Sequence, residues 1–432
     1  MEWFVHDRYG MMITWGLFSI PAEGAWIKYV ENLSEEEYKK YFDAFDPVDY
    51  DPAKWAGLAR EAGMKYAYIV TKHHDGFCLF DSKLTDYNAA KTKAGRDLVR
   101  EFVDAFRAEG LKVGIYYSLL DWHHPDFPPY GKWSEDEARV NKPRNFDNYL
   151  NYFHGQVEEL CRNYGKIDLL WLDFSYGDMV GGKWKGAELV RMVRRLQPDI
   201  IINNRLNYYY TIPAAPAERV EYSGDFLTPE GIIPPKGLYD TEGNRVHWEL
   251  GATLNDHWNY CKSDTAFKSP EFVVRKLVEC VSKGGNMIFG IGPDERGNIP
   301  QQAETILKKA GEWLKTNGEC IYGCGCADIE KPDFGRVTRN GKTLYYHVTE
   351  SPIGPLPLLG IDIEQIKKVT LLHNGAELEV KKGSYDVFNI TLFKDITYIM
   401  FGTGHGVLGP DSVYSHSESA DQGDVVIKVE LL

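Results

Sequence analysis

The chain has 432 residues, more than one ordinary domain holds, so two domains are the default expectation. A composition of 43% hydrophobic and 26% charged residues belongs to a globular protein with a large core, and excludes collagen-like, repetitive and disordered classes. The formal net charge of -14 excludes nucleic acid and anionic membranes as expected partners, because both require a basic face.

From the N-terminus, MEWFVHDRYG carries neither a basic n-region nor an apolar h-region. No apolar run approaches the ~20 residues of a membrane span, so a cytoplasmic protein is expected. The run Trp55, Leu58, Ala59, Ala62 has helical spacing, with Asp51 placed to cap it, Pro52 in its first turn and Gly63 to end it. YAYIV, from Tyr66 to Val70, follows as a continuous β-rich run, as a strand buried on both faces should be.

The unit then repeats. Asp97 begins a helix carrying Leu98, Phe102 and Phe106, Gly110 stops it, and the strand KVGIYY follows from Lys112 to Tyr117. A helix with Tyr149, Phe153, Val157 and Leu160 stops near Gly165, before IDLLWLD from Ile167 to Asp173. Leu189, Met192, Val193 and Leu196 mark another helix, which ends at Pro198 before DIIINN. Ser269-Pro270 opens a helix with Val273, Leu277 and Val281, Gly284-Gly285 ends it, and NMIFGIGP follows. A last helix is expected from about Pro300 to Thr316.

Alternating strands and helices imply a parallel sheet, open or closed. The length and the polar cluster after nearly every strand favour a (β/α)8-like TIM barrel over residues 1–326. A doubly wound sheet is the alternative, but no GxGxxG follows the first strand. Leu206 to Lys268 breaks the rhythm, and long irregular stretches of this kind are usually functional loops. After Cys326 come short alternating strands, TLYYHV, VTLLHNGAELEV, YIMFG and VVIKVELL, with a hairpin signal at Asn374-Gly375. An all-β sandwich is expected over 327–432.

The seven cysteines are odd in number and show no pairing logic, so no disulfide framework is expected. Cys320, Cys324 and Cys326 cluster without a CxxC pair or a following His at zinc spacing, so no metal site is expected there.

In a barrel, chemistry gathers at the C-terminal strand ends. KHHDGF, YYSLLDWHH, WLDF, NNR and GDFLTPE stand there and bring carboxylates, histidines, an arginine and tryptophans together. Asp173 is the sharpest candidate, because the apolar run LLWL delivers a carboxylate where a barrel opens; a helix cap or core ion pair is the structural alternative. Glycoside hydrolysis needs a second carboxyl, and spacing leaves Glu218, Glu221, Glu230 and Glu249 all open. His73 and His74 are adjacent, and neighbours on an extended strand point to opposite sides, so hydrogen bonding to hydroxyls is expected rather than metal binding. Arg205 is placed to bind a substrate oxygen or orient a carboxylate, with a buried structural salt bridge as the alternative. The high aromatic content, 13%, suits packing against the C–H face of a sugar ring as well as ordinary core packing. No GxSxG elbow and no P-loop is present.

At these residues the chain resembles glycoside hydrolase family 29, the α-L-fucosidases. The resemblance covers nearly the whole chain. It rests on WFVHDRYGMMITWGLFSIP, AGMKYAYIVTKHHDGFCLFDSK, GIYYSLLDWHHPDF, LLWLDF, INNR, FLTPE, SKGGNMIFGIGPDERGNIP and GEWLKTNGECIYG. It implies a retaining, exo-acting glycosidase on a (β/α) barrel followed by a β-sandwich, with an oligosaccharide or glycoside as substrate and no cofactor. It places the nucleophile at Asp173 and the acid/base at Glu230. By the same resemblance Trp26, His73, His74, Tyr117, Trp171 and Arg205 line the sugar pocket and Trp258 covers it. The sequence leaves the oligomeric state open, a homo-oligomer included.

Two positions depart from the family pattern. Thr14 stands where a histidine is usual, and Ala25 where a glutamate precedes the tryptophan. Each lost contact to a sugar hydroxyl is worth about 1–3 kcal/mol, enough to alter which sugar is read. A different glycone on the same machinery is therefore the alternative reading, and a non-catalytic sugar-binding protein is another.

Overall fold

The computed structural model describes residues 1–207, 220–350, 355–382, 386–387, 390–391, 396–399 and 425–432. The helices begin where the sequence signals them. The Asp51 carboxylate accepts the amides of Ala53 and Lys54 at the start of the helix Pro52–Glu61, which buries Trp55, Leu58 and Ala59. Asp97 caps Leu98–Ala108 through the Arg100 amide, and Ser269 caps Pro270–Ser282 through the Phe272 amide. These side chains satisfy amides that the first helical turn leaves unpaired.

Seven strands form one sheet: β1 Tyr9–Ile13, β2 Tyr66–Lys72, β3 Lys112–Ser118, β4 Leu169–Asp173, β5 Ile201–Ile202, β6 Glu249–Thr253 and β7 Asn286–Ile291. Their order is β5-β4-β3-β2-β1-β7-β6. The pairs β1–β2, β2–β3, β3–β4, β4–β5 and β1–β7 are parallel. Beyond the edge strand β5, isolated parallel bridges join Asn203 to Phe226, Leu227 to Trp248 and Glu230 to Gly251, reaching the other edge strand β6. The segment that carries Glu230 is thus bridged to both edges.

The described residues pack as two compact units. One comprises Met1, Tyr9–Lys268 and Met287–Lys308; the other comprises Glu2–Arg8, Ser269–Asn286 and Lys309–Leu432. The second unit holds the antiparallel strands β8 Gly325–Cys326, β9 Gly335–Asn340, β10 Thr343–Val348, β11 Leu356–Leu358, β12 Ile366–Leu371, β13 Val380–Lys382, β14 Asp386–Val387, β15 Ile390–Thr391, β16 Thr397–Ile399 and β17 Val425–Leu431. They form sheets ordered β12-β17-β10-β9-β8 and β11-β16-β13, with β14 and β15 paired separately. Leu344, Val369 and Ile427 from the first sheet share a core with Leu356, Leu358 and Ile399 from the second. Asn374-Gly375 turns the chain back so that Glu377 pairs with Thr370, as the hairpin signal predicts. Of YIMFG, Tyr398 and Ile399 lie in β16 and the remaining three residues fall outside the described residues. All seven cysteines lie outside any disulfide, and no helix among the described residues is long and apolar enough to cross a membrane.

Between the strands of the parallel sheet lies an aromatic and acidic layer. Tyr66 and Tyr68 of β2 donate to Glu249 of β6 at 2.5 and 3.2 Å. The Tyr68 ring fills the space that a Cβ on Gly114 of β3 would need. Among the described residues no basic group bonds Glu249, and burial pushes its carboxyl up to about 8 against the lowering effect of the two hydroxyls. The unfolded chain ionises this group from about 4.5 while the folded chain holds it protonated to about 8, so it costs stability as pH rises across that window. Glu249→Gln, which stays neutral, is expected to flatten the decline. Calorimetry should find its Tm above wild type in mildly alkaline buffer and little changed in acid, at roughly 2 °C per kcal/mol regained.

Candidate active site

Strand β4 ends on Asp173, and the chain turns at once through Phe174 at φ 83°. The Leu119 amide donates to the Asp173 carbonyl at 2.7 Å and holds the turn. The carboxylate is gripped on both oxygens. Tyr116 Oη donates to Oδ2 at 2.6 Å, and Arg205 Nη1 donates to Oδ1 at 2.6 Å.

Arg205 extends the network. Its Nη2 donates to Glu230 Oε2 at 2.8 Å, and Trp258 Nε1 donates to Glu230 Oε1 at 3.1 Å. Its Nε donates to Thr228 Oγ1 at 2.8 Å, and that hydroxyl donates onward to Asn204 Oδ1 at 3.0 Å. The guanidinium lies over the Trp171 ring, 5.2 Å from its centroid. Burial works to lower the Arg205 pKa, but the Asp173 and Glu230 carboxylates outweigh it and hold the group above its ordinary value. One permanent cation thus serves two carboxylates.

Asp173, Tyr116, Arg205, Glu230, Trp258 and Trp171 line a cavity of about 540 Å³. Thr14, Ala25, His73, His74, Tyr116 and Trp171 are buried and form its floor. Burial lowers the pKa of both histidines; His74 and Lys72 depress His73 further against the pull of Asp173, while Lys72 and Arg205 act on His74. Both imidazoles are therefore neutral, each with one donor and one acceptor. His74 Nδ1 pairs with Ser118 Oγ at 2.6 Å, while His73 Nδ1 and Trp171 Nε1 are buried without a partner. Among the described residues no group of three or more His, Cys, Asp or Glu is arranged to hold a metal ion.

Asp173, Glu230, Trp26, His73, His74, Trp171, Arg205 and Trp258 all line this cavity. Tyr117 does not. Its hydroxyl donates to Gln156 at 2.8 Å and its ring stacks on Phe153, so Tyr116 takes the place expected of it. The reason is strand alternation: Tyr116 stands beside Trp171 in the β3–β4 register, and parallel neighbours in register project to the same face. The two histidines also differ from expectation. They point the same way, with ring centroids 4.1 Å apart, because β2 ends at Lys72 and alternation lapses beyond it. Of the other candidate acids, Glu221 pairs with Arg191 and Glu249 lies with Tyr66 and Tyr68; Glu218 is outside the described residues. Sequence reasoning missed Glu23, Tyr130, Phe174, Asp256 and His257, which also line the cavity. No motif marks these positions, and Tyr116 is set by its register with Trp171, which the sequence does not record.

A family model described as Alpha-L-fucosidase matches residues 1–319. The chain belongs to the alpha-L-fucosidase family. The plasma alpha-L-fucosidase of Homo sapiens is 29% identical over 344 residues, covering 74% of this chain and 68% of the human protein. Alpha-L-fucosidase isoenzyme 1 from Paenibacillus thiaminolyticus superposes with a TM-score of 0.90 at 47% identity, covering 100% of this chain and 98% of that one. A GH29 alpha-L-fucosidase from Bacteroides thetaiotaomicron, trapped as a covalent intermediate with 2-fluoro-fucosyl fluoride, superposes with a TM-score of 0.80 at 27% identity over 99% and 95% of the two chains.

Family membership makes the chain a glycoside hydrolase and favours the fucosidase reading over a different glycone or a sugar-binding protein. Thr14 and Ala25 line the same cavity as Asp173 and Glu230. Tyr116→Phe removes a hydrogen bond to a charged group and is expected to lower kcat/KM by roughly 10- to 150-fold with Tm unchanged. Tyr117→Phe should do the reverse, costing about 1 kcal/mol of stability in denaturant titrations and sparing kcat/KM.

Proposed function

We propose that this chain is a retaining, exo-acting α-L-fucosidase with Asp173 as nucleophile and Glu230 as acid/base. The observation that carries this assignment is the shared guanidinium. Arg205 holds one carboxylate on each terminal nitrogen, the side-by-side arrangement that a retaining pair at ~5–5.5 Å requires. Asp173 is the less exposed of the two, at 11% against 33% for Glu230, which suits a nucleophile beneath the sugar and an acid facing the leaving group.

In the first step an Asp173 oxygen attacks the anomeric carbon while Glu230 gives its proton to the departing glycosidic oxygen. The C–O bond to the aglycone breaks and a glycosyl ester with Asp173 forms. In the second step Glu230 takes a proton from water, the hydroxide displaces Asp173, and the sugar leaves with retained configuration. Arg205 and Tyr116 orient Asp173 before attack. The two carboxyl groups supply nucleophile and proton, so the reaction requires no cofactor. The partnerless His73 Nδ1 and Trp171 Nε1 are suited to sugar hydroxyls, since an orphaned buried polar atom costs about 1–3 kcal/mol until a ligand satisfies it.

The same reading makes the parallel sheet a closed (β/α)8-like barrel, with Phe226–Glu230 in the eighth position. Its support is the set of parallel bridges from Asn203 to Phe226 and from Leu227 to Trp248. The shared core of two antiparallel sheets supports a β-sandwich for the C-terminal strands.

Asp173→Ala is expected to cut kcat/KM on an aryl fucoside by at least roughly a thousandfold, and full activity in that variant overturns the assignment. Glu230→Ala should slow alkyl fucosides by roughly 100- to 10,000-fold and aryl fucosides with good leaving groups much less. A 2-fluoro-fucosyl reagent should label the peptide bearing Asp173 in mass spectrometry.

A further inference from the structure

His74 lines the cavity with one ring nitrogen already engaged. Its Nδ1 lies 2.6 Å from Ser118 Oγ, and that hydroxyl donates to the Leu120 carbonyl at 2.8 Å. Ser118 is fully buried. It stands two residues past Tyr116 on β3 and beside Asp173 in the β3–β4 register. The strand that brings Tyr116 to the Asp173 carboxylate therefore also brings Ser118 to His74.

The hydrogens in this chain of contacts can be assigned. A serine hydroxyl has one proton to give, and a carbonyl oxygen has none. At 2.8 Å the Leu120 carbonyl takes the Ser118 proton, because two oxygens this close need a hydrogen between them. The same carbonyl accepts Lys72 Nζ at 3.2 Å, and Lys72 is tied to Asp121 Oδ2 at 2.9 Å. With its proton committed, Ser118 Oγ meets His74 only with a lone pair. Nδ1 must then carry a hydrogen. Burial, Lys72 and Arg205 hold His74 well below its ordinary pKa, so the ring is neutral and has one N–H only. Nε2 is left as a bare acceptor.

The ring is held against turning over, which would set a carbon against Ser118. Trp26 and Phe174 pack edge-on to it at 5.0 Å each, the His73 ring lies 4.1 Å away and the Trp122 ring 5.5 Å away. The Trp122 amide donates to the His74 carbonyl at 2.8 Å and fixes the backbone as well.

We propose that Ser118 is a positioning residue that fixes His74 as its Nδ1–H tautomer, so that the cavity floor presents Nε2 as an acceptor and reads a sugar hydroxyl as a donor. Trp171 Nε1, buried without a partner and able only to donate, is the complement in the same floor. A hydroxyl that meets His74 gives its proton to Nε2. A fluorine or a methyl ether in its place has no proton to give and leaves the nitrogen unpaired, which disfavours it. The reading of a sugar hydroxyl rests on the fucosidase assignment above; the tautomer does not.

The tautomer is read without substrate, by nitrogen NMR of the unliganded protein carrying isotope-labelled histidine, with the His74 signals assigned by their loss in His74→Gln. Wild type is expected to show a protonated Nδ1 and a bare Nε2; a protonated Nε2 overturns the proposal. Ser118→Ala should move hydrogen to Nε2 and lower kcat/KM on an aryl fucoside by roughly tenfold, while Ser118→Thr, which keeps the hydroxyl, should restore the wild-type tautomer and most of the rate. An unchanged tautomer in Ser118→Ala overturns the role of Ser118. Aryl fucosides with each ring hydroxyl replaced in turn by fluorine test the reading itself. For one of them, kcat/KM relative to the parent should rise by roughly fivefold in Ser118→Ala over wild type, because Nε2–H can approach a fluorine that a bare nitrogen repels. No such rise at any position overturns the reading of a hydroxyl by Nε2. An enzyme with the Nδ1–H signature that leaves the parent aryl fucoside intact overturns the fucosidase assignment and the hydroxyl reading with it.

Discussion

Two carboxyl groups side by side in a largely buried cleft repel each other when both are ionised, and a cation between them offsets that repulsion. Arg205 does so with a planar fork that reaches Asp173 and Glu230 from one guanidinium. A lysine ammonium is a point charge and does not present two nitrogens at fixed separation. The surrounding residues serve this pairing. Thr228 and Asn204 fix the guanidinium by its Nε, Trp171 lies beneath it, and Trp258 holds the far oxygen of Glu230.

The arginine and its two acids come from three separate places in the chain, so their meeting depends on the sheet. Asp173 ends β4, Arg205 follows β5 by three residues, and Glu230 lies on the segment bridged to β6. Beneath them Glu249 ties β6 to β2 through Tyr66 and Tyr68, and the Tyr68 ring packs edge-on against Trp171 at 5.4 Å. The aromatic layer therefore supports both the strand that leads to Glu230 and the ring under Arg205. Trp258 is seated in the same way, over a space that a Cβ on Gly290 would fill.

From floor to mouth the chemistry of the cavity changes in step with its exposure. The floor offers two neutral imidazoles and a buried indole, groups whose N–H and ring nitrogens can pair with hydroxyls. Asp173 is nearly as buried as the floor, Glu230 is less so, and Glu23 and Asp256 are exposed. Thr14 and Ala25 belong to the buried floor. The residues of the floor are thus physically separate from the two carboxyl groups that Arg205 holds.

Much of the local structure was legible in the sequence, because caps and hydrophobic period act over a few residues. Asp51, Asp97 and Ser269 begin helices where they stand, Asn374-Gly375 turns a hairpin, and LLWL delivers Asp173 to a strand end. What required the tertiary structure is everything set by register or loop path. Only the β3–β4 register decides that Tyr116 and not Tyr117 meets Asp173, and only the end of β2 lets His73 and His74 face one cavity. Spacing left four glutamates open, and the resemblance rather than the spacing selected Glu230. The path from β5 to β6 brings Glu230 to Arg205, sends Glu249 among tyrosines and leaves Glu221 with Arg191. A one-dimensional pattern records which way a residue leans within its own element. Which residue stands opposite it is decided when the elements pack.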